Sequence, residues 1–427
     1  MSALGRYTQG DDVYQRLRTH ILDQVDAEAA LAMSVPALEA LVSRILAEAI
    51  RDFRLFLNGF EQRALTREII DDMVRLGPIQ PCMEDQEIND VLVNGVAQVL
   101  VERKGKLEET EIRFRDAGHL LNLAQRIASA VGRRVDESSP MVDARLADGS
   151  RVNIIAPPLS LNGVCISIRK FSRLIIDLDR YVELGSLNAA MAAFLKIAAR
   201  ARLNILVSGG TGSGKTTLLN ALSQHIARDE RIITIEDAAE LRLEQPFVVR
   251  LETRPPSIEG KGEVTQRELL RNALRMRPDR ILLGEVRGEE ALDMLQAMNT
   301  GHDGSLSTVH ANSPEDAMLR LENMLNMGAH FMPSALVRRQ LSSALDLLVQ
   351  VERDVSGQRR ISHISEVCPW GEDGVVCRDI FRFFRGETDG QKAGGFIRSD
   401  YSPTFTQKIL ASGLYRQYSE VLADDAP

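Results

Sequence analysis

Residues 204–219 read NILVSGGTGSGKTTLL, an apolar strand that runs into a glycine-rich turn and then into an apolar helix. Glycine has no Cβ atom, so this turn lets the backbone approach a ligand closely and adopt positive φ angles. The helix that follows presents its free N–H groups and the positive end of its dipole, where proteins bind anions. The pattern predicts an α/β fold with a phosphate site at the end of this strand.

We name residues 209–217 the glycine-rich loop. It consists of Gly209, Gly210, Thr211, Gly212, Ser213, Gly214, Lys215, Thr216 and Thr217. Lys215 can reach the β- and γ-phosphates of a nucleoside triphosphate, and the Thr216 hydroxyl can ligate Mg²⁺. A glycine-rich turn that binds nothing is the alternative. The complete G-x-x-x-x-G-K-T pattern between a strand and a helix favours a site for ATP or GTP.

Composition sets broad limits on the kind of protein. At 427 residues the chain is long enough for two or three domains, and 44% hydrophobic with 26% charged residues is typical of a globular protein. The net charge of −8 argues against an extensive nucleic-acid surface, and the four cysteines form no C-x-x-C pair. The sequence has neither a signal peptide at its start nor an apolar run of about 18 residues, so we expect a cytoplasmic location.

Changes in hydrophobic periodicity divide the chain into four regions. We expect a helical leader over 1–75, a small α+β domain over 76–172, a linker over 173–187 and an α/β domain with a C-terminal extension over 188–427. In the leader, one helix is expected to start behind Ser34 and another behind Thr66.

Two predicted strands of the last region end in acidic residues. Residues 280–285 read RILLGE and end at Glu285, whereas residues 232–237 read IITIED and end at Glu236 and Asp237. Such strands can bring their ends to one edge of a sheet, so we expect a shared Mg²⁺ and water site. Glu285 suits the orientation of an attacking water, and Glu236 suits contact with the metal through water. A strand that ends in a solvated glutamate is the alternative.

Residues 300–312 place His302 and His310 eight residues apart among glycines and hydroxyl side chains. A single histidine is more often structural than catalytic, but these neighbours favour a loop that senses phosphate. The absence of a nearby third ligand in the sequence argues against a metal site.

Arginines are a further candidate group, because an oligomeric ATPase needs guanidinium groups from a neighbouring domain or subunit to neutralise the γ-phosphate. Most surface arginines are instead solvated or paired with acids. The candidates are Arg133, Arg134, Arg145, Arg151, Arg169, Arg254, Arg271, Arg275, Arg277 and Arg287.

With these clusters in their order, the chain resembles the type II/type IV secretion ATPase superfamily. That superfamily carries a Walker A loop, an acidic Asp box, a Walker B strand ending in Glu and a His box, which correspond here to 209–217, 232–241, 281–285 and 300–310. The chain is most similar to the Tad/Flp (type IVc) pilus ATPases, the CpaF/TadA group. Stretches typical of that group include VGRRVDESSPMVD at 131–143, ARLADGSRVN at 144–153, ISIRKF at 166–171, RPPSIEGKGEVT at 254–265 and NALRMRPDR at 272–280.

The resemblance implies a RecA-like P-loop ATPase domain preceded by a PAS-like α+β domain and helices. It also implies a homo-hexameric motor that uses ATP and Mg²⁺ to assemble, and by extension retract, a pilus through inner-membrane platform proteins, at the periphery of that membrane. Lys215 and Thr216 would bind phosphate and Mg²⁺, and Glu285 would be the catalytic carboxylate, assisted by Glu236. His302 and His310 would sense the γ-phosphate. The nucleotide clamp from the preceding domain would consist of Arg145, Arg151 and Arg169.

The sequence also departs from related branches and leaves alternatives open. The four-cysteine zinc module of many type II secretion and type IVa pilus ATPases is missing, and residues 326–330 (NMGAH) differ from the usual Tad/Flp sequence.

A type IV secretion traffic ATPase shares the same boxes. A nucleic-acid translocase on the same core is disfavoured by the negative charge and the 5% aromatic content, so no direct contact with nucleic acid is expected. A non-enzymatic scaffold is disfavoured by the retained Lys215, Glu236 and Glu285.

Overall fold

The computed structural model describes residues 12–103, 105–171, 176–254, 256, 261–328, 332–354, 357–368, 377–388 and 391–424. The chain divides into two compact units, Met1–Ser172 and Arg173–Pro427. The first contains a helical segment and a six-stranded sheet. The second contains a nine-stranded sheet with a hydrophobic core on each face.

The first unit begins with helices that share a core of their own. They are α1 (Asp12–Gln24), α2 (Ala27–Ala32), α3 (Val35–Asp52) and α4 (Gly59–Val74). Helix α3 starts behind Ser34, as the sequence predicts. The expected start at Thr66 is wrong, because α4 starts behind Asn58. The Asn58 side chain accepts the N–H of Glu61 at 3.0 Å, and the Glu61 carboxylate accepts the N–H of Asn58 at 2.8 Å. This reciprocal cap satisfies two backbone donors at the start of α4.

An antiparallel sheet with one long helix completes the first unit. Its elements are a 3₁₀ turn (Gly77–Ile79), α5 (Gln80–Glu84), β1 (Ile88–Asn94), β2 (Gln98–Arg103), β3 (Lys106–Glu109), α6 (Ala117–Ala130), β4 (Met141–Arg145), β5 (Arg151–Ile155) and β6 (Cys165–Arg169). The strand order is β3-β2-β1-β6-β5-β4. Leu120, Leu123 and Ile127 of α6 lie in one core with the alternating residues of the strands, which explains the period-two pattern of those strands.

Polar contacts join α4 to α6 within this unit. Arg126 donates to the carbonyl oxygens of Asp72 and Met73 at 2.6 and 3.1 Å, so it satisfies acceptors at the end of α4. The Asp72 carboxylate is buried and pairs with His119 at 3.0 Å and Arg115 at 3.3 Å. A buried carboxylate needs such partners to remain ionised.

The second unit mixes strands and helices, then adds antiparallel strands and ends in two helices. Its elements are α7 (Leu178–Glu183), α8 (Ala189–Arg200), β7 (Ile205–Gly209), α9 (Lys215–Ser223), β8 (Ile232–Glu236), β9 (Val248–Glu252), α10 (Gln266–Ala273), β10 (Arg280–Val286), α11 (Glu290–Asn299), β11 (Leu306–His310), α12 (Pro314–Gly328), α13 (Ser334–Ala344), β12 (Leu347–Arg353), β13 (Arg359–Val367), β14 (Cys377–Thr388), β15 (Gln391–Arg398), α14 (Thr406–Ala411) and α15 (Tyr415–Asp424). The range predicted as a linker, 173–187, contains α7, whose Leu178 and Tyr181 are buried in the core of this unit.

The large sheet has the order β15-β14-β13-β12-β7-β11-β10-β8-β9. Strands β12, β7, β11, β10, β8 and β9 are parallel, and β13, β14 and β15 add antiparallel pairs at one side. Strand β7 lies in the interior of the sheet: Ile205 and Val207 belong to one core and Leu206 to the other. Burial on both faces explains why this strand is a continuous apolar run.

The C-terminal helices pack back on the unit. Glu366 of β13 accepts the hydroxyl of Tyr401 at 2.7 Å and the N–H of Thr404 at 3.0 Å, which anchors the segment before α14. Tyr418 of α15 is buried against Phe194 of α8. Among the described helices, none combines the length and apolar character needed to cross a bilayer.

A buried ion pair stabilises the edge of the sheet where the parallel strands begin. Arg280, the first residue of β10, is 0% exposed, and its Nε and Nη2 donate to Glu230 at 2.7 and 2.8 Å. Its Nη1 donates to the carbonyls of Ala199 and Gly304 at 2.6 and 3.3 Å. A guanidinium can be buried here because its donors find acceptors in the required directions.

Replacing Glu230 by Gln is expected to lower the free energy of unfolding of this unit by about 3–5 kcal/mol, because Arg280 stays buried without a counter-charge. Urea denaturation followed by circular dichroism measures the change. Glu420→Gln is the matched control, since Glu420 pairs at 2.9 Å with Arg416, whose side chain is 91% exposed, and we expect little change there. Equal stability of Glu230→Gln and the wild type would contradict this account of the buried pair.

Candidate functional site

The glycine-rich loop connects the end of β7 to the start of α9. A Cβ atom at Gly209 would lie 2.4 Å from the carbonyl oxygen of Val351 and 2.5 Å from Ser213 Oγ, so a side chain is excluded there. Gly212 and Gly214 have φ angles of +69° and +102°, which other residues adopt with strain. The sequence folds this way because glycine stands at each of these positions.

The first turn of α9 is open to an anion. Gly214 occupies the N-cap position, where it offers no side chain to the free N–H groups of the helix. Thr216 and Thr217 are half-buried in this turn, Gly210 is half-buried, and Thr211 is exposed. The free N–H groups and the positive end of the helix dipole therefore lie at the loop, beside threonines that are not fully buried.

Lys215 is buried at the base of the loop. Its Nζ donates to the carbonyl oxygens of Gly209 and Gly210 at 3.1 and 3.0 Å and lies 3.3 Å from Nδ1 of His310. Burial lowers the pKa of Lys215 to about 8, although the charge of Glu285 acts in the opposite direction. Burial deprives this ammonium group of water, so a phosphate at the loop would favour its charged form by supplying a nearby negative charge.

Glu285 lies next to this lysine and has partners on both oxygens. Its Oε1 is 3.0 Å from Nε2 of His310, and its Oε2 accepts from Nη2 of Arg287 at 2.8 Å. Burial raises the pKa of Glu285, but Arg287, His310 and Lys215 outweigh it and hold the pKa below its ordinary value. Burial and the charge of Lys215 lower the pKa of His310, which favours a neutral imidazole.

The register of the parallel strands explains why these side chains meet. His310 is the last residue of β11 and lies opposite Gly209, the last residue of β7. Val286 of β10 lies opposite Val309 of β11, so Glu285 arrives at the same edge. Carboxyl ends of parallel strands share one edge of a sheet, and that edge is where α/β proteins bind ligands.

Glu236 ends β8 at this edge and is 3% exposed. Its Oε2 accepts the N–H groups of Glu240 and Leu241 at 2.7 and 2.8 Å. Its Oε1 is buried, and no hydrogen-bond partner contacts it among the residues that the structure describes. Burial, only partly offset by these two N–H donors, raises the pKa of Glu236 to about 6. A buried acceptor that lacks a partner can hold a donor from outside the chain, such as water.

The structure separates the two histidines of the predicted site. His302 lies before β11, at the end of the sheet where the parallel strands begin, and its Nδ1 is 3.2 Å from the carbonyl oxygen of Ala297. The neighbouring Gly304 N–H donates to Asn204, just before β7. His302 and His310 are thus at opposite ends of β11, because a strand carries its two ends to opposite edges. Of these two histidines, His310 is the one that contacts Lys215 and Glu285.

The three arginines expected from the other domain belong to the first unit. Arg145, Arg151 and Arg169 form one row across β4, β5 and β6, since Arg145 lies opposite Arg151 and Arg151 opposite Arg169. Arg145 Nε donates to the carbonyl of Gly149 at 3.2 Å, and Arg169 lies 3.5 Å from Asp90. Neighbouring strands thus place three positive side chains side by side.

Several residues that contact the loop were not singled out from the sequence. Arg359 of β13 donates from Nε to the carbonyl oxygen of Gly212 at 3.0 Å. Gln350 of β12 is buried, accepts from the Ser208 hydroxyl and donates to the carbonyl of Ala311 at 3.3 Å, so it links the ends of β7 and β11. The sequence offers only a weak signal for them, a glutamine within an apolar strand and an arginine at the start of the next strand.

A glycine-rich loop between a central parallel strand and a helix, with two acidic strand ends beside it, defines a RecA-like P-loop protein. The family model described as "Type II/IV secretion system protein" matches residues 72–378. The chain belongs to this family.

Three comparisons illustrate the relationship. A putative conjugal transfer protein of Mycobacterium tuberculosis (strain ATCC 25618 / H37Rv) is 39% identical over 343 residues, which cover 79% of this chain and 97% of that protein. The type IV secretion system protein PtlH of Bordetella pertussis is 36% identical over 70% of this chain and 95% of its own length. The third comparison is with the crystal structure of the pilus retraction motor PilT with bound ADP, whose sequence is 21% identical to this chain. The match covers 80% of this chain and 88% of that one, and its TM-score of 0.51 shows that the two share a fold.

Replacing Glu236 by Gln is expected to stabilise the protein at neutral pH. The raised pKa of about 6 makes ionisation of Glu236 costly in the folded state, and this cost is absent below about pH 4.5 and complete above about pH 7. A shift from the ordinary 4.5 to about 6 corresponds to about 2 kcal/mol. The advantage of Glu236→Gln over wild type should therefore grow by about 1–2 kcal/mol between pH 5 and pH 8. Urea denaturation in EDTA without nucleotide measures it, and a difference that is constant with pH would contradict it.

Proposed function

We propose that this chain is a motor ATPase that binds ATP at the glycine-rich loop and hydrolyses it with Glu285. One observation carries the proposal: the Glu285 carboxylate lies 3.0 Å from His310, which lies 3.3 Å from the buried Lys215 ammonium. A carboxylate, an imidazole and an ammonium beside an anion-binding loop are groups that phosphoryl transfer to water uses. Family membership supports the same function.

In this proposal each side chain has a distinct role. The β- and γ-phosphates contact Lys215 and the free N–H groups of the glycine-rich loop, and Glu285 accepts a proton from the attacking water. His310 senses the γ-phosphate, because a new negative charge beside Lys215 alters the two interactions that hold the imidazole. Resemblance alone supports a nucleotide-binding role for Arg145, Arg151 and Arg169.

The residues at this edge fit a Mg²⁺ ion. Thr216 offers a hydroxyl in the first turn of α9, and Glu236 Oε1 is a buried acceptor without a hydrogen-bond partner in the described part of the chain. Magnesium at nucleotide sites takes few protein ligands and completes its shell with phosphate oxygens and water. The described residues contain no cluster of three His, Cys, Asp or Glu residues that could hold a metal ion. We propose Thr216 as the direct ligand and Glu236 as a contact through water. The bound ion would neutralise charge on the phosphates.

We propose that the active form is a homo-hexamer that drives assembly of a Tad/Flp pilus, and its retraction where the system retracts. It would act with inner-membrane platform proteins from the cytoplasmic side, at the periphery of that membrane. The support is the resemblance of residues 131–153, 166–171 and 254–265 to that group.

A type IV secretion traffic ATPase is the second candidate. The names of two relatives, a conjugal transfer protein and the type IV secretion protein PtlH, favour it. Deleting the gene separates the two: loss of surface pili supports the pilus motor, and loss of protein or DNA export with intact pili supports the traffic ATPase.

Replacing Glu285 by Gln is expected to leave the Kd for ATP within about threefold of wild type and to lower turnover at least 100-fold or so, because a general base contributes roughly 10²–10⁴. Phosphate release measures turnover, and equilibrium titration measures binding. Lys215→Ala is the matched control and should lose ATP binding, since the buried ammonium is removed. Wild-type turnover in Glu285→Gln would refute the role of Glu285.

The hexamer is tested by measuring ATPase activity against protein concentration, with the particle mass determined in the same samples. Specific activity should rise with the fraction of the six-subunit species, because a ring motor completes its sites with groups from neighbours. Equal specific activity in a species with the mass of one chain would argue against the ring.

A further inference from the structure

Arg287 links two carboxylates at the edge of the sheet. Its Nη2 donates to Glu285 Oε2 at 2.8 Å, and its Nη1 lies 3.2 Å from Asp237 Oδ2. Glu285 belongs to β10, and Asp237 follows β8, the neighbouring strand. The guanidinium therefore bridges two strand ends through separate nitrogens, which fixes its plane better than a single contact would.

Asp237 is itself held in place. Its Oδ1 accepts from Nε2 of Gln266, in the first turn of α10, at 2.8 Å and from the hydroxyl of Thr253, just after β9, at 3.3 Å. A carboxylate with donors on both oxygens is a fixed anchor. Arg287 needs such an anchor, since its side chain is 55% exposed and a single exposed ion pair contributes little.

The backbone that carries Arg287 is also restrained. The N–H groups of Arg287 and Gly288 donate to Glu290 Oε1 at 2.6 and 2.8 Å, which caps the turn between β10 and α11. The turn is thus held at its backbone, and the guanidinium is held at its far end by Asp237. The other terminal nitrogen, Nη2, donates to Glu285.

We propose that Arg287 and Asp237 are positioning residues for the reaction, which fix the carboxylate plane of Glu285 so that it meets the attacking water. This inference rests on the proposed ATPase function. Glu285 has rotatable bonds of its own, and contact with His310 restrains only one of its oxygens. The Asp237–Arg287 pair restrains the other oxygen of Glu285. Through the contacts of Asp237, this oxygen is connected to β8, to the end of β9 and to α10.

The two residues act in series in this arrangement. Arg287 contacts Glu285 directly, whereas Asp237 acts on Glu285 only through Arg287. Removal of Arg287 should therefore abolish any effect of changing Asp237. Residues that act as one unit give strongly non-additive effects on kcat.

The test compares R287Q, R287K, D237N and the double variant R287Q/D237N with wild type, using kcat and KM for ATP and the Kd for ADP. R287Q should lower kcat about 10- to 100-fold, because a small misplacement of a reacting group costs about this much, with KM and Kd unchanged within about threefold. R287K should recover part of kcat, since it keeps the charge but loses the fork. D237N should lower kcat by less than R287Q, and the double variant should equal R287Q.

R416Q serves as the matched control, because Arg416 pairs at 2.9 Å with Glu420 on the exposed face of α15, and it should keep wild-type kcat. Independent, multiplicative losses in the double variant would overturn the inference. So would a raised KM with unchanged kcat in R287Q. If R287Q does not fold, R287K carries the test, and wild-type kcat in R287K and D237N would overturn the inference.

The outcomes also separate this inference from the function on which it rests. If the wild-type protein fails to hydrolyse ATP under conditions in which it binds ADP, the proposed function itself fails. If the wild type hydrolyses ATP and Glu285→Gln does not, but R287Q matches wild type, only the positioning role fails.

Discussion

The contact on which the site depends is the close packing of Gly209 against its neighbours. A Cβ atom at this position would collide with the carbonyl oxygen of Val351 in β12 and with Ser213 of its own loop. This packing lets β7 pair with β11 and β12 up to its last residue. The loop therefore begins beside His310, the last residue of the neighbouring strand, and Lys215 at its base contacts that histidine. A larger residue would separate strands that must stay in register for the side chains to meet.

Most charged groups at this edge have partners of their own within the chain. The buried Lys215 contacts two carbonyl oxygens and has Glu285 nearby, while the charge of Glu285 is compensated by Arg287 and its other oxygen contacts His310. Glu236 is the exception, since burial raises its pKa to about 6 and one of its oxygens lacks a partner among the described residues. A buried carboxylate held in this way reduces stability unless a cation or a water molecule joins it. In the proposed function, a Mg²⁺ ion that contacts Glu236 through water would reduce this local instability.

The sequence predicts the parallel core and much of the site, because the signals there are local. The ends of β7, β8 and β10 follow from apolar runs that stop at a glycine or an acid. The histidines could not be separated in this way, since β11 was not predicted as a strand and its direction decides which of His302 and His310 reaches the edge. Arg359 contacts the loop from 147 residues away in the chain, through an antiparallel strand without a strong pattern. At Thr66 the sequence predicts a helix start that the structure does not have. The helix starts earlier because Asn58 and Glu61 form a reciprocal cap there.

The most direct test of the central claim is a structure of the protein with a slowly hydrolysed ATP analogue and Mg²⁺. The account predicts that the β- and γ-phosphates contact Lys215 Nζ and the N–H groups of the glycine-rich loop. It also predicts that the metal ion contacts Thr216 and that a water molecule lies between Glu285 and the γ-phosphate. A nucleotide bound elsewhere on the chain, or a γ-phosphate without contact to Lys215, would contradict the account.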